Sequence, residues 1–308
     1  MACVLLVGCL YLTKKSSWEI LGKDPRLATP EELHAASSYD PTEEDKILRV
    51  SKSSFMAYRY CPRQYWWQRV QLKDVRTPAT PAMIRGTYIH DALENLYNDW
   101  EGQNTLRPLL PRGEHDESLS AIAEMEERRI EEWGIEFFKP YEVEDKRIFY
   151  DEENDIVIVG KIDGVLHHPE GGLCILELKT GSFNDNKISK TRLELCFYER
   201  MMRMMGEEKP ITHFAFMGPD ADNEKMLNKL LNTRGKVVMT GKTQGIMFVE
   251  KVTNRALNRF AETFPETIER LKNEEWPMNW NDFTCTQWCD FNLACESELD
   301  GGVIAWSE

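Results

Sequence analysis

The sequence predicts an α/β fold in which a central mixed β-sheet is flanked by helices and a helical subdomain is formed by both ends of the chain. Three observations lead there. Apolar runs bounded by turn residues recur within 145–180 and at 211–218 and 245–252, as in buried strands. Segments with helical apolar spacing lie before, between and after them. Three cysteines, Cys285, Cys289 and Cys295, crowd an eleven-residue window near the end, and Cys61 stands near the start. At 308 residues the chain can bury a substantial core.

Residues 1–45 read as an irregular arm with prolines and acids. In its opening "MACVLLVGCLYL" no positive charge precedes the apolar run, which is too short for a secretory core. We read it as a strand, a packed arm or an over-called start. Nothing in the chain reaches the ~18 apolar residues of a membrane helix, so a cytoplasmic protein is expected.

Residues 46–140 read as a helical region. In "SKSSFMAYRYCPRQYWWQRV", Ser51 or Ser53 caps a helix whose last turns carry Cys61. "TPATPAM" (77–83) is a break whose proline starts the next helix. That helix runs to about Trp100, with Ile89, Leu93, Leu96, Tyr97 and Trp100 as its buried face. Residues 117–137 form a second, charged helix. Residues 141–252 carry the strands "RIFYD", "DIVIVGKIDGVLH" and "GLCILELKT", a helix over 188–205, and strands over 211–218 and 245–252. A long helix over 253–274 and the cysteine-bearing tail complete the chain to residue 308.

Net charge is −14, which argues against a passive nucleic-acid coat, but the charge is uneven. From Ser51 to His90, seven basic residues (Lys52, Arg59, Arg63, Arg69, Lys73, Arg76 and Arg85) oppose Asp74 alone, among seven aromatic side chains. Such interleaving suits phosphates and stacked bases, with Arg59, Arg63, Tyr65 and Trp66 as candidate DNA contacts. The competing reading is a helix whose aromatics are core and whose arginines are solvated.

The densest chemistry lies in "GKIDGVLHHPEGGLCILELKTG". "HPEGG" is turn chemistry between two strands. A turn centred near Glu170 makes residues whose numbers sum to 340 face each other, as Asp163 and Glu177 do. Their Cβ atoms then stand ~5 Å apart. Facing carboxylates destabilise a ladder unless a cation lies between them, and a divalent metal is the natural one. Glu177 and Lys179 share a strand face. Carboxylate, carboxylate and ammonium together suit metal-assisted attack on a phosphodiester. The competing reading is an ordinary charged hairpin face, which the apolar neighbours Ile175, Leu176 and Leu178 disfavour.

Four thiolates suit an iron–sulfur cluster or structural zinc, and their spacing leaves both open. Cys174 and Cys196 sit in apolar patterns and are expected to be buried, inert thiols. "GKVVMTGKT" from Gly235 imitates a phosphate loop, but five residues rather than four separate its glycines. His167 and His168 lie at a polar turn and are expected to be exposed.

The set resembles the PD-(D/E)XK nucleases of the RecB type, closest to four-cysteine iron–sulfur exonucleases that include CRISPR-associated adaptation nucleases and phage relatives. "YRYCPRQYW" is similar to the first-cysteine motif, "RGTYIHDALE" to the GxxxH helix with Gly86 and His90, "GKIDGV" to the aspartate strand, "ILELKTG" to the ExK strand, and "LELCFYERMM" to the QxxxY helix. The terminal cysteines close the set, which spans Ser51 to Cys295. Ile162 replaces the usual proline before the aspartate, Glu194 replaces the motif glutamine, and three residues rather than two separate Cys285 from Cys289. Lys190, Glu194 and Tyr198 share one helix face.

The resemblance implies a restriction-endonuclease-like core. It implies metal ligation by His90, Asp163, Glu177 and the Leu178 carbonyl, catalysis by Asp163, Glu177, Lys179 and Tyr198, and DNA contacts from Lys190 and Glu194. Mn2+ or Mg2+ would serve, with imidazole in the donor set favouring Mn2+. It implies a 4Fe–4S cluster on Cys61, Cys285, Cys289 and Cys295, with zinc as the alternative. The expected activity is a DNA exonuclease on single-stranded or frayed ends, with recombination or CRISPR-adaptation proteins as partners and no membrane. Two other readings are a structure-selective endonuclease or CRISPR spacer-processing nuclease, and a zinc-stapled DNA-binding module with a vestigial site.

Overall fold

The computed structural model describes residues 14–75, 78–181, 184–222 and 236–299. The opening dodecapeptide, Arg76 and Gly235 lie outside them. Residues 14–45 depart from the irregular arm expected. Helices α1 (Ser17–Leu21) and α2 (Pro30–Ala35) each begin with a capping box, Ser16 with Glu19 and Thr29 with Glu32. Strand β1 (Ser37–Ser38) follows. Each box satisfies two otherwise orphaned N–H groups, which makes such short helices viable.

Strand β2 (Ile47–Ser51) leads into α3 (Lys52–Tyr60), capped by Ser51 through Ser54 N–H. Cys61 is extended backbone between α3 and α4 (Pro62–Trp66). Pro81 opens α5 (Pro81–Asp99), and Thr80 caps it. Its buried residues are Ile89, Ala92, Leu93, Leu96 and Tyr97. Helix α6 (Asp116–Trp133) packs beside it.

Strands β3 (Glu142–Asp151), β4 (Ile156–His167) and β5 (Leu173–Leu178) form an antiparallel meander. After α7 (Asp185–Met204) come β6 (Ile211–Gly218), β7 (Lys236–Thr240) and β8 (Ile246–Lys251), then α8 (Asn254–Lys272). Two short helices, α9 (Asp282–Trp288) and α10 (Asn292–Leu299), carry the terminal cysteines.

The strand order is β1-β2-β4-β5-β6-β8-β7, with β3 on the other edge of β4. β1–β2, β2–β4 and β5–β6 pair in parallel and the rest antiparallel, so the sheet is mixed. Helices cover both faces. Phe55 of α3, Phe197 of α7 and Phe260 and Phe264 of α8 pack on one face with Ile158, Phe214 and Phe248. Leu93 and Leu96 of α5 and Ile122 and Met125 of α6 pack on the other with Leu176, Met217 and Met247. Burial on both faces explains why every residue of β5 is apolar except Glu177.

One feature of β4 positions the site. β3 pairs along nearly the whole of one edge, so β2 and β5 must share the other. β2 takes 157–159 and β5 takes 164–167, and the ladder is open between them. Asp163 lies at that opening.

Candidate active site

The β4–β5 pairs, Gly164 with Leu176 through His167 with Leu173, follow the register in which Asp163 faces Glu177. The side chain of Asp163 takes over where the ladder stops. Its Oδ2 accepts from Leu178 N–H at 2.7 Å. On the other edge, the β3–β4 pairs Val143 with Gly164 and Asp145 with Ile162 put Glu144 opposite Asp163. Glu144, Asp163 and Glu177 thus form a row of carboxylates across three neighbouring strands. Glu144 has φ of 47°, in the left-handed region an L side chain seldom adopts.

Helix α5 supplies an imidazole. His90 Nδ1 lies 3.3 Å from both Glu144 Oε1 and Asp163 Oδ1. Among the described residues, these three are the only group of metal-ligating side chains whose atoms all lie within 4.8 Å of one another. A Cβ at Gly86 would stand 3.4 Å from Thr180 Oγ1, so α5 runs close against the end of the ExK strand.

Helix α7 closes the other side. A Cβ at Gly160 would meet Met201 Sδ at 2.2 Å, so the buried Met201 side chain of α7 lies directly over this glycine. Tyr198 then donates to the Lys161 carbonyl. Lys179 Nζ donates to Glu177 Oε1 and to Glu194 Oε2, both at 2.6 Å. Lys52, from the start of α3, also donates to Glu177 Oε1 and stands 3.6 Å from Glu194 Oε2. The second oxygen of Glu177, Oε2, is buried with no hydrogen-bond partner.

The electrostatics follow from this arrangement. Burial, then the Glu177 carboxylate, pushes the Asp163 carboxyl up. Burial opposes the charge of Glu177 too, but Lys52 and Lys179 overcome it and hold that carboxyl at about 2. Burial disfavours a charged His90, yet Asp163 and Glu144 raise it to about 10. An orphaned buried carboxylate oxygen beside an oxygen-rich row with one imidazole is what a divalent ion would complete. The donor set fits Mn2+ or Mg2+.

Sequence reasoning named His90, Asp163, Glu177, Leu178, Lys179, Glu194 and Tyr198, and the structure brings them together. It missed Glu144 and Lys52. The four-residue turn "EEND" (152–155) could have revealed Glu144, because centring it makes partners sum to 307 and pairs Glu144 with Asp163. Lys52 comes from α3 with no local signal.

The candidate DNA contacts divide. Tyr65 is fully buried, stacks on Trp276 and donates to the Tyr39 carbonyl, so its assignment to DNA is corrected to a core role. Glu194 is 5% exposed and binds Lys179, not a surface ligand. Phe55 and Tyr58 are buried as well, because one face of α3 must cover the sheet, and Trp67 is buried with its ring stacked on Phe291. Arg59 lies in a half-buried cleft with Arg270, and Arg63 sits over the Trp66 ring near Glu298. Lys190 and Tyr60 are exposed and face each other at 5.8 Å. His168 is buried rather than exposed, because it stacks on His213.

Cys61, Cys285 and Cys289 line one cavity of about 470 Å³. Cys295 is buried nearby; burial lifts its thiol to about 11, and Cys289 and Cys61 add to the shift. Asn281 N–H points to Cys285 Sγ at 3.4 Å. All four are free thiols, three of them lining that cavity, and among the described residues no three of them come within 4.8 Å of one another. Cys174 and Cys196 are buried, with thiols raised by burial.

A mixed sheet opened at its centre around three carboxylates, an imidazole and a lysine presents a donor set suited to a divalent metal. The sequence profile of the PD-(D/E)XK nuclease superfamily matches residues 49–296, four fifths of the chain. The chain belongs to that superfamily, whose members are nucleases. No curated protein matches it. The solved structure described as "Crystal structure of SSO0001" is similar at 14% identity and a TM-score of 0.39, covering 81% of this chain and 86% of that one. Among the described residues no helix is long and apolar enough to cross a membrane.

Proposed function

We propose that the chain is a divalent-metal-dependent DNA exonuclease acting on single-stranded or frayed ends, with a 4Fe–4S cluster holding its two ends together. The observation that carries the reading is the carboxylate row at the opening of β4, with Lys179 at one end and an unpartnered Glu177 oxygen inside it.

His90, Asp163, Glu177 and the Leu178 carbonyl would hold Mn2+ or Mg2+, with Glu144 within reach of the same place. The metal supplies Lewis acidity and a water of lowered pKa. The protein's own part is positional. The Leu178 amide fixes the Asp163 carboxylate, and Glu194 holds the Lys179 ammonium against Glu177, where it can orient water and offset charge building on the phosphate. Tyr198 ties β4 to α7, a positioning role beside these groups. Exposed Tyr60 and Lys190 offer a stacking face and a cation one helical turn from Glu194. That pair supports single-stranded substrate.

Cys61, Cys285, Cys289 and Cys295 would ligate the cluster, which would staple α3 to the tail. Three of the four thiols line one cavity of about 470 Å³, which supports a shared metal group there. The same reading makes recombination or CRISPR-adaptation proteins the partners.

The test is cleavage of 5′- and 3′-labelled single strands with Mn2+ by wild type and Lys179→Ala. Wild type should give a terminal product ladder and the variant a rate lower by about 10²–10⁴-fold. Equal rates would reject the site, and internal products would reject the exonuclease.

A further inference from the structure

We infer that Lys52 is a placeholder cation: it neutralises Glu177 in the metal-free protein, yields that carboxylate to the divalent ion, and passes to a DNA phosphate. The inference rests on the metal reading above and adds a residue that reading does not use.

Lys52 is the first residue of α3, where the helix dipole disfavours a cation. Nothing in α3 itself calls for an ammonium there, so its charge answers the site instead. Its side chain runs inward, 19% exposed, with Nζ 4.9 Å from the centre of the Tyr198 ring. It reaches the same oxygen of Glu177 that Lys179 already occupies. Two ammoniums crowd one oxygen while the other oxygen of that carboxylate has none. For a finished, purely structural ion pair this is a poor arrangement. For a site in which Glu177 has yet to receive its ligand, it is a holding pattern.

The second anchors say which lysine leaves. Glu144, Asp163, Glu177 and Glu194 face Lys52, Lys179 and His90 across the site. A dication arriving at Glu177 repels both ammoniums on its Oε1, and the one with the weaker second anchor must yield. Lys179 keeps Glu194 at 2.6 Å, whereas Lys52 is 3.6 Å from it. Lys52 is therefore the displaced group. Its side chain is 19% exposed, close to the 21% of Lys179, so the second anchor and not solvent access separates the two. A phosphodiester oxygen is the anion that restores its partner. The acid Glu194 in place of the motif glutamine fits the same scheme, because it retains Lys179 when Lys52 departs.

The experiment is direct Mn2+ binding without DNA, by calorimetry and by loss of the free-ion paramagnetic resonance signal, on chelator-stripped full-length protein. Lys52→Met, of similar length but uncharged, should bind Mn2+ about tenfold more tightly than wild type, the scale of one screened like-charge contact. Lys52→Arg should stay near wild type, and Lys52→Gln repeats the neutral change if the Met variant folds poorly. With Ca2+ in place of Mn2+, Lys52→Met should bind a single-stranded oligonucleotide more weakly, with a salt slope smaller by about 0.7, one phosphate contact. Mn2+ bound by wild type and equally or less tightly by both neutral variants overturns the placeholder. Unchanged DNA affinity and slope overturn the transfer to phosphate. Mn2+ binding absent from wild type, or undiminished in Glu177→Ala, overturns the metal site itself and the inference with it.

Discussion

Acidification from pH 7 to 4 is expected to weaken the fold by about 3 kcal/mol through His213 alone. His213 lies on β6 with its ring stacked on His168, centroids 3.5 Å apart and planes 14° from parallel. Trp133 packs edge-on against His168. Burial, then the neighbouring His168, lowers His213 to about 4, and Lys251 adds to the shift while Glu170 opposes it. The folded state therefore holds His213 neutral until pH 4, while the unfolded chain takes up its proton near the ordinary histidine value of about 6.5. Stability is complete above that value and drains as pH falls through the window between the two, by about 1.4 kcal/mol per unit. The assay is urea unfolding at intervals from pH 7.5 to 4 for wild type and His213→Phe, which keeps a flat ring against His168. Other titrating groups cancel in the difference, leaving the His213 contribution. Parallel stability curves for the two proteins across that window would refute the reasoning.

Two further outcomes follow from buried groups. Arg129 and Glu126 are fully buried and paired at 2.5 Å under α5, with Arg129 also donating to the Phe137 and Phe138 carbonyls. Arg129→Met should cost about 3–5 kcal/mol in denaturant unfolding, and adding Glu126→Leu should restore much of it, because the loss comes from a stranded charge. Protein purified without oxygen should be brown, with absorbance near ~400 nm that Cys289→Ser removes. Colourless protein carrying stoichiometric zinc would reject the cluster.

Local pattern carried most of the fold. The hairpin register, a serine cap before α3, proline at the start of α5 and the bounds of β6 are all set by residues within a few positions and were legible, and the structure places that cap at Ser51, one of the two serines the sequence offered. The two capping boxes before residue 36 were equally local, yet proline and charge there suggested an arm. What escaped was tertiary. Lys52 meets Glu177 from 125 positions away, and His168 is buried between His213, which stacks on it, and Trp133, which packs edge-on. The aromatics of α3–α4 were ambiguous between core and ligand contact, since burial depends on which face meets the sheet. The candidate site was readable because its members lie on four locally recognisable motifs, whereas Glu144 needed the β3–β4 register.

The sharing of one β4 edge by β2 and β5 has a consequence for synthesis. The edge residues of β2 find their partners in β4 only about a hundred positions later. Phe55, behind it on α3, waits for Phe260 and Phe264 about two hundred positions on. At ~5–20 residues per second, the ribosome leaves Phe55 and Tyr58 without their native cover for about 10–40 s. The early aromatic segment is thus the stretch most in need of a chaperone, and folding of the sheet is gated by elongation rather than by local collapse.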